Sequence, residues 1–598
     1  MIPFSYLEKE GLLSFEKPVV LSSMEVEGTV AFLSFSLDGE RFFEEEIRQE
    51  GTRLDLKNLV CSFLRIEGAK PISLEEGEGY IGVPEEAFTS LFQTQKGWMG
   101  GDGLFTFNLF DNRNDEPDRV RTLCVFGDTF VNTRSSHDVR LDPWLMPHNS
   151  YAIIEGAEPK KEATAFHVKQ DQKGHFGSYL EPHNPQSFSG TMADNLVAYG
   201  EKKGDVYLSS YDPEKPIVLK FCFGKVYPLK QIRVVNYSRP DPFSVGYARR
   251  GVKRMNVLAY AHGKLQKEKE VTLRMAEGAM DEQLISLVTE ADAVEFHIPN
   301  ENGIGNYGGI GGNEGLFGLS KVYFDTEHST LIDIQADANF ELACSDKNGW
   351  FWLQDGIIQN GYFYSLPLVG VSDLAQPEGF QFRIEGVSML RLPIENGYPN
   401  FDKAEQKATN LHQRYGTIEA FYGAGILDSV QEDGYVYVYG YLTDQNHLEN
   451  GKEMVVARTK DFSNINEWEF FDGTSFQKDI TKSAPLLHHV SCELSVFKNL
   501  DQYVAIFTYD VQSPYVAYSL SPTPYGPFGP IRIAYADTSK YCPHEYHYNA
   551  KGHKHLSHPG EILASYNVNT SDLGENLEFA SCYGPRFVRL QYVRGGKK

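Results

Sequence analysis

The chain predicts an all-β protein, and three observations carry that expectation. Tyr and Phe are abundant, at 34 and 39 of 598 residues. They stand with Val and Gly in short runs suited to pleated, half-buried strands. Apolar spacing of three to four residues, the mark of an amphipathic helix, is scarce. Turn signals such as Glu432-Asp433-Gly434 punctuate the apolar runs. A chain of this length should divide into roughly two to four domains.

Composition narrows the partners. With 56 Lys plus Arg against 81 Asp plus Glu, the formal net charge is −25. That balance disfavours phosphate backbones, so neither nucleic acid nor an anionic membrane is expected. No stretch approaches the ~20 apolar residues of a membrane-spanning helix. The start, MIPFSYLEKEGLLSFEKP, lacks the basic and apolar regions of a signal peptide, which predicts a cytoplasmic location. The seven cysteines are scattered and form no CxxC. They read as small hydrophobes in a reducing compartment rather than as a disulfide framework.

In chain order, residues 1–85 predict a small β module with short strands at 19–21, 29–36 and 60–66, separated by acidic loops. The stretch 93–130 follows, two adjacent strands joined by a polar loop. Each strand carries one aspartate among glycines: Asp102 in Gly101-Asp102-Gly103, and Asp128 in Gly127-Asp128-Thr129. Asp and Gly are poor strand formers, and glycine in a strand marks the close approach of a ligand or another backbone. Both could be turn aspartates at strand ends, although Asp111, Asn112, Asn114 and Asp115 already supply turn chemistry between the strands. Paired carboxylates beside an aromatic, here Trp98, suit hydrolysis of a glycosidic bond.

Residues 86–160 form the first part of a larger unit, and the polar stretch 157–190 reads as a linker. From 190 to 325 comes a separate β-rich unit, with strands near 217–223, 232–236, 250–260, 293–299 and 316–324. Beyond it, residues 326–598 return to the earlier pattern. Trp350-Phe351-Trp352-Leu353-Gln354-Asp355-Gly356 repeats the aromatic, Asp-Gly, strand order of 98–107. Short strands in meanders suggest a sandwich or a radially repeated sheet. The two flanking parts would fill about five four-stranded blades of roughly 40 to 65 residues each. The predicted architecture is therefore a five-bladed β-propeller with an inserted β domain and a small N-terminal module.

Two resemblances sharpen this. The segments PIVLKFCFGKVYPLKQIRVVN, RRGVKRMNVLAYAHG and AVEFHIPNENGIGNYGGIGGNEGLFGLSKVYFD resemble the discoidin, or factor five/eight C-terminal, jelly roll of many carbohydrate-binding modules. That family often holds a structural calcium through an acid in its last strand, where Lys321 stands here. The segments GWMGGDG, LCVFGDTF, WFWLQDGI, GYVYVYGY, EMVVARTKDF, ELSVFKNLDQYVAIFTYD and GEILASYNVNT resemble the five-bladed hydrolases of glycoside hydrolase family 183, which includes endo-D-arabinanases. The resemblance implies a glycosidase acting on D-arabinan or related pentofuranose or fructofuranose glycans; no cofactor is expected, and Lys321 argues against the structural calcium of the discoidin family. It implies Asp102 and Asp128 as the catalytic pair, Asp102 as base or nucleophile and Asp128 as acid, with these roles open to exchange. The inserted unit and the absence of a leader depart from secreted arabinanases.

Further candidates are expected to face the central channel on which the blades of a propeller converge. Asp355, Glu419 and Glu493 lie near the starts of blade-like strand pairs, and Asp102, Asp355 and Glu419 form an alternative triad. Trp98, Trp352, His489, His555 and Asn567 are expected to contact substrate. The run HEYHYNAKGHKHLSH at 544–558 is one residue short of HExxH with no helical pattern around it, so no metal is expected. One of His553, His555 and His558 should instead line the pocket. The alternative functions are a non-catalytic glycan-binding protein and an interaction scaffold.

Overall fold

The computed structural model describes residues 2–110, 119–170, 176–181, 207–208, 217–237, 249, 251–276, 281–299, 305–307, 318–331, 334–338, 349–372, 382–464 and 467–595. Among them the protein is nearly all β, with two short α-helices, Glu86–Leu91 and Leu573–Glu578. No helix is long and apolar enough to cross a membrane.

The N-terminal module is built from two long strands rather than the short ones expected. Leu12–Ser36 and Arg53–Glu76 pair along their length, and Leu21, Ser23, Met24 and Glu25 each pair with both halves of the partner. The ladder therefore folds back on itself. The module also shares a core with the rest of the chain. The buried Arg532 guanidinium donates to the carbonyls of Leu56 and Lys57 and pairs with Glu45 at 2.8 Å, and Tyr515 donates to Asp38 at 2.6 Å.

Antiparallel meanders follow. The first joins Phe105–Asn108, Arg121–Phe126, Ser150–Glu155 and Thr164–His167. Its fourth strand comes from the polar stretch expected to be a linker. Tyr151, which stacks on His167 at 4.5 Å, gives that stretch an aromatic surface to cover. Later meanders begin at Gly356–Gln359, Ile418–Ser429, Leu494–Asn499 and Glu545–Gly552. In the last, Gly584–Val593 is completed by Gly79–Pro84, from near the other end of the sequence. The opening strands of successive meanders are neighbours, Phe105–Asn108 beside Gly356–Gln359 and so on to Glu545–Gly552. Contacts of His553 with Thr106 and of Lys551 with Phe105 bring the last meander back to the first. The core between them is rich in tyrosine, whose hydroxyls find partners: Tyr439 donates to Pro524 O at 2.6 Å and Tyr437 to Asp433 at 2.7 Å.

A seven-stranded sheet stands apart in sequence, with Ile217–Asn236, Arg254–Ala261, Lys264–Thr272, Glu282–Ile298 and Gly318–Thr326 as its main strands. It encloses its own apolar cluster, including Phe221, Phe296 and Phe324. Gln335–Ala338 still pairs with its first strand, so the unit extends past residue 325. Most of the glycine-rich stretch 303–315 lies outside the described residues.

One expectation about cysteine is corrected: Cys542 and Cys582 form a disulfide. They are 40 residues apart in sequence. They lie just before Glu545–Gly552 and Gly584–Val593, the two strands on either side of Glu561–Thr570, with their Cα atoms 6.0 Å apart. Cys61 and Cys124 are buried free thiols, as small hydrophobes would be, and Cys344 lies outside the described residues.

Candidate active site

Asp102 and Asp128 sit at matching breaks. Lys96–Gly101 continues over Asp102 into Phe105–Asn108, and Arg121–Phe126 continues over Asp128 into Thr129–Arg134. The two breaks are bonded to each other. Asp102 N–H donates to Asp128 O at 2.9 Å, and Gly127 N–H donates to Asp102 O at 2.8 Å. The acids are therefore held side by side by backbone, not by their carboxyls. Glycine is required at Gly100, where φ is +136° and a Cβ would lie 2.6 Å from Tyr583 O.

The Asp102 carboxyl is deeply surrounded yet reached by solvent. Its Oδ1 accepts from Asn549 Nδ2 at 3.0 Å, and the Tyr548 hydroxyl also bonds to it. Burial is the main force raising its pKa, followed by the charge of Glu493. The Tyr548 bond opposes them, Asp128 adds to the rise, and the balance lies at about 7. Asn549 reaches Asp102 from left-handed backbone, φ +59°, at the bulge between Tyr548 and Lys551. Such conformations concentrate where geometry is over-determined by function.

Asp128 accepts from His148 Nδ1 at 2.8 Å, while its carbonyl takes the Tyr583 hydroxyl at 2.8 Å. The His148 ring stacks on Trp350, with centroids 5.0 Å apart and planes at 17°. Glu493 immediately precedes Leu494–Asn499, as Asp355 precedes Gly356–Gln359. It pairs with the buried Lys551 at 2.8 Å, and the Lys551 ammonium lies 4.0 Å over the Phe105 ring. A Cβ on Gly103 would come within 3.5 Å of Glu493 Oε1. Trp352 is part-exposed and borders the acids, its Cδ1 lying 3.6 Å from a Cβ built on Gly127.

Asp355 is tied to backbone. It accepts from its neighbour Gly356 N–H at 2.8 Å and from Ile426 N–H at 2.6 Å. These bonds join the second and third opening strands, while burial raises its pKa to about 7.

Other expected contacts are corrected. Trp98 is only 2% exposed, stacks on Phe166 at 4.4 Å and donates to Ser150, so it has no face for a sugar. His555 is buried against Thr122 at 2.9 Å, and burial depresses its imidazole to about 3. His553 is likewise buried between Thr106 and Ser565, whereas His558 is exposed. Asn567 is buried and donates to Gly101 O at 3.1 Å, which supports the Asp102 turn from behind. Glu419 is partly buried, which raises its pKa, but His412 and Arg414 at 2.9 and 2.6 Å outweigh that and hold it below the usual range. His489 is engaged by Asp510 at 2.9 Å and stacks on Tyr509. Neither Glu419 nor His489 contacts Asp102 or Asp128 among the described residues.

His544, Asp572 and Glu575 bring ligand-type atoms within 4.8 Å of one another. They are already spent locally, His544 on Glu575 at 2.6 Å and Asp572 on capping helix Leu573–Glu578. The sequence reading missed Tyr548, Asn549, Lys551, His148 and Tyr583 as neighbours of the acids. The only signal for the first three was polar and aromatic alternation in Tyr546-His547-Tyr548-Asn549, followed by a lysine in the same strand.

Residues 318–592 match a family described as a domain of unknown function, DUF5005. No curated protein matches the chain. Among solved structures, a protein from Bacteroides ovatus named only as a candidate hydrolase is 16% identical, with 86% of this chain and 90% of that one covered at a TM-score of 0.47. A thermostable family-43 glycoside hydrolase is 13% identical over 47% of this chain and 88% of that one, with a TM-score of 0.23. A family-43 enzyme from Xanthomonas citri complexed with xylose is 12% identical over 45% and 77%, also at 0.23. None reaches 0.5, and the functional conclusion below rests on the site itself.

Proposed function

We propose that the protein is a glycoside hydrolase and that its meanders form a five-bladed propeller with the acids at one mouth of its axis. The observation that carries the enzymatic reading is the state of Asp102. Its carboxyl lies beside Asp128 and Glu493, and burial together with the charge of Glu493 pushes its pKa up to about 7. A carboxyl that keeps its proton near neutrality suits a general acid for the leaving oxygen. The structure thus favours exchanging the roles first assigned, with Asp102 as acid and the proton acceptor on the Asp128 side. Trp352 offers the ring against which a sugar face can stack.

Asp102, Asp128, Glu493 and Asp355 face Lys551 and His148 as the nearby basic groups. This balance favours neutral glycans over uronates or sulfated chains, in keeping with furanose substrates of the arabinan or fructan kind. The test is sugar release from neutral and acidic glycan panels by native protein and Asp128→Asn. Release from a neutral glycan that disappears in the variant is expected. Equal release by both proteins would remove Asp128 from the chemistry, and no release from any glycan would favour a purely binding role.

The separate seven-stranded unit is proposed to be a discoidin-like jelly roll inserted in the propeller and able to fold alone, because its apolar cluster draws on its own strands. Residues 207–338 expressed alone should unfold in one cooperative transition in urea. A gradual, non-cooperative change would count against an autonomous unit.

A further inference from the structure

We propose that His148, rather than Asp128 itself, takes the proton from the attacking water, with Asp128 as its positioning residue. This rests on the glycosidase reading and deepens it. The geometry is that of an oriented base. A carboxylate accepts, so the 2.8 Å contact assigns the proton to His148 Nδ1 and leaves the lone pair of the neutral ring on Nε2. One ring face is covered by Trp350. The backbone N–H of His148 donates to Ser178 Oγ at 2.9 Å, which fixes the residue's base. Ring plane and edge are thereby set, and the side chain keeps 18% of its surface open. Among the described residues Nε2 has no hydrogen-bond partner, and Asp128 is the one charged group on the ring. Asp128 and its neighbour Gly127 each make one backbone bond to Asp102, so the orienting carboxylate is registered against the proposed acid.

This arrangement has the logic of a carboxylate–histidine base. Water oxygen bonds to the anomeric carbon as the bond to the leaving oxygen breaks. Nε2 takes one water proton, and the resulting imidazolium is stabilised by Asp128. Asp102 gives its proton to the leaving oxygen. Afterwards His148 returns its proton to solvent and Asp102 regains one, so a single water is consumed.

The experiment measures turnover per folded molecule on a glycan that the native protein cleaves. His148→Gln can still donate to Asp128 and lie on Trp350 but cannot act as a base. It should lose about 10²- to 10⁴-fold, as much as Asp128→Asn, and the double variant should be little worse than either single one. His148→Gly, whose cavity admits imidazole, should regain activity when imidazole is added. His148→Gln near native turnover beside an inactive Asp128→Asn would overturn the inference and make the carboxylate the base. Failure of imidazole to restore any activity to folded His148→Gly would also count against it. If the native protein cleaves no glycan, the glycosidase reading falls, and this inference with it.

Discussion

Asp102→Asn should cut turnover by orders of magnitude while making the protein more stable. The loss is expected to be about 10²- to 10⁴-fold, the usual contribution of a general acid. The stability gain follows from linkage. The folded carboxyl holds its proton up to about 7, whereas its ordinary value is 3.8. Between those values the native state binds a proton that the unfolded state has lost, so stability falls as pH rises and the cost is complete above 7. This is the reverse of an ion-paired aspartate. Asparagine removes the titration and can still accept from Asn549. At pH 8 the variant should gain about 1 to 3 kcal/mol over the native protein, and near pH 4 the gain should vanish. Urea unfolding at the two pH values checks this. Equal or lower stability at pH 8 would show that the carboxyl is not held protonated by its surroundings.

Lys551→Met carries the second large effect. Lys551 is 2% exposed, pairs with Glu493 and is within reach of Asp102 and Asp355. Without it, three neighbouring carboxyls would share a poorly solvated pocket. Removing one partner of a buried pair costs about 3 to 5 kcal/mol, because the other charge is left uncompensated. The remaining acids should respond by holding protons to higher pH. Adding Glu493→Gln should recover much of the loss, since replacing both partners of a buried pair is often nearly neutral. A stable single variant, or a double variant no better than the single, would mean that solvent rather than Lys551 balances these acids.

These two residues also show what the sequence made legible. Asp102 and Asp128 stood out because acids among glycines are poor strand material, and the structure does place them together at strand breaks. The separate β-rich unit was visible too, since a self-contained core requires a run of alternating apolar residues in one stretch of chain. Partners supplied by distant strands were hidden. Lys551 and Asn549 meet Asp102 from a strand hundreds of residues away, across a bulge that disrupts the two-residue alternation. Trp98 misled for the opposite reason. It lies four residues from Asp102, a spacing that simple alternation puts on one side of a strand. An extra residue between Trp98 and Gly101 and the left-handed backbone of Gly100 reverse the sides, and the indole went to the core while the acid went to the cleft. His555 and the Cys542–Cys582 bond turn on the same point, as their environments come from strands not adjacent to them in the chain.

The pairing of Gly79–Pro84 with Gly584–Val593 bears on how the molecule is made. The last meander gains its fourth strand from a segment translated about 500 residues earlier. That early strand must wait on the ribosome with an unpaired edge, because its partner emerges only after nearly the whole chain has been made. Such late, non-local pairing is slow and exposes intermediates to aggregation. Nascent chains stalled before residue 584 should therefore remain protease-sensitive around Gly79–Pro84.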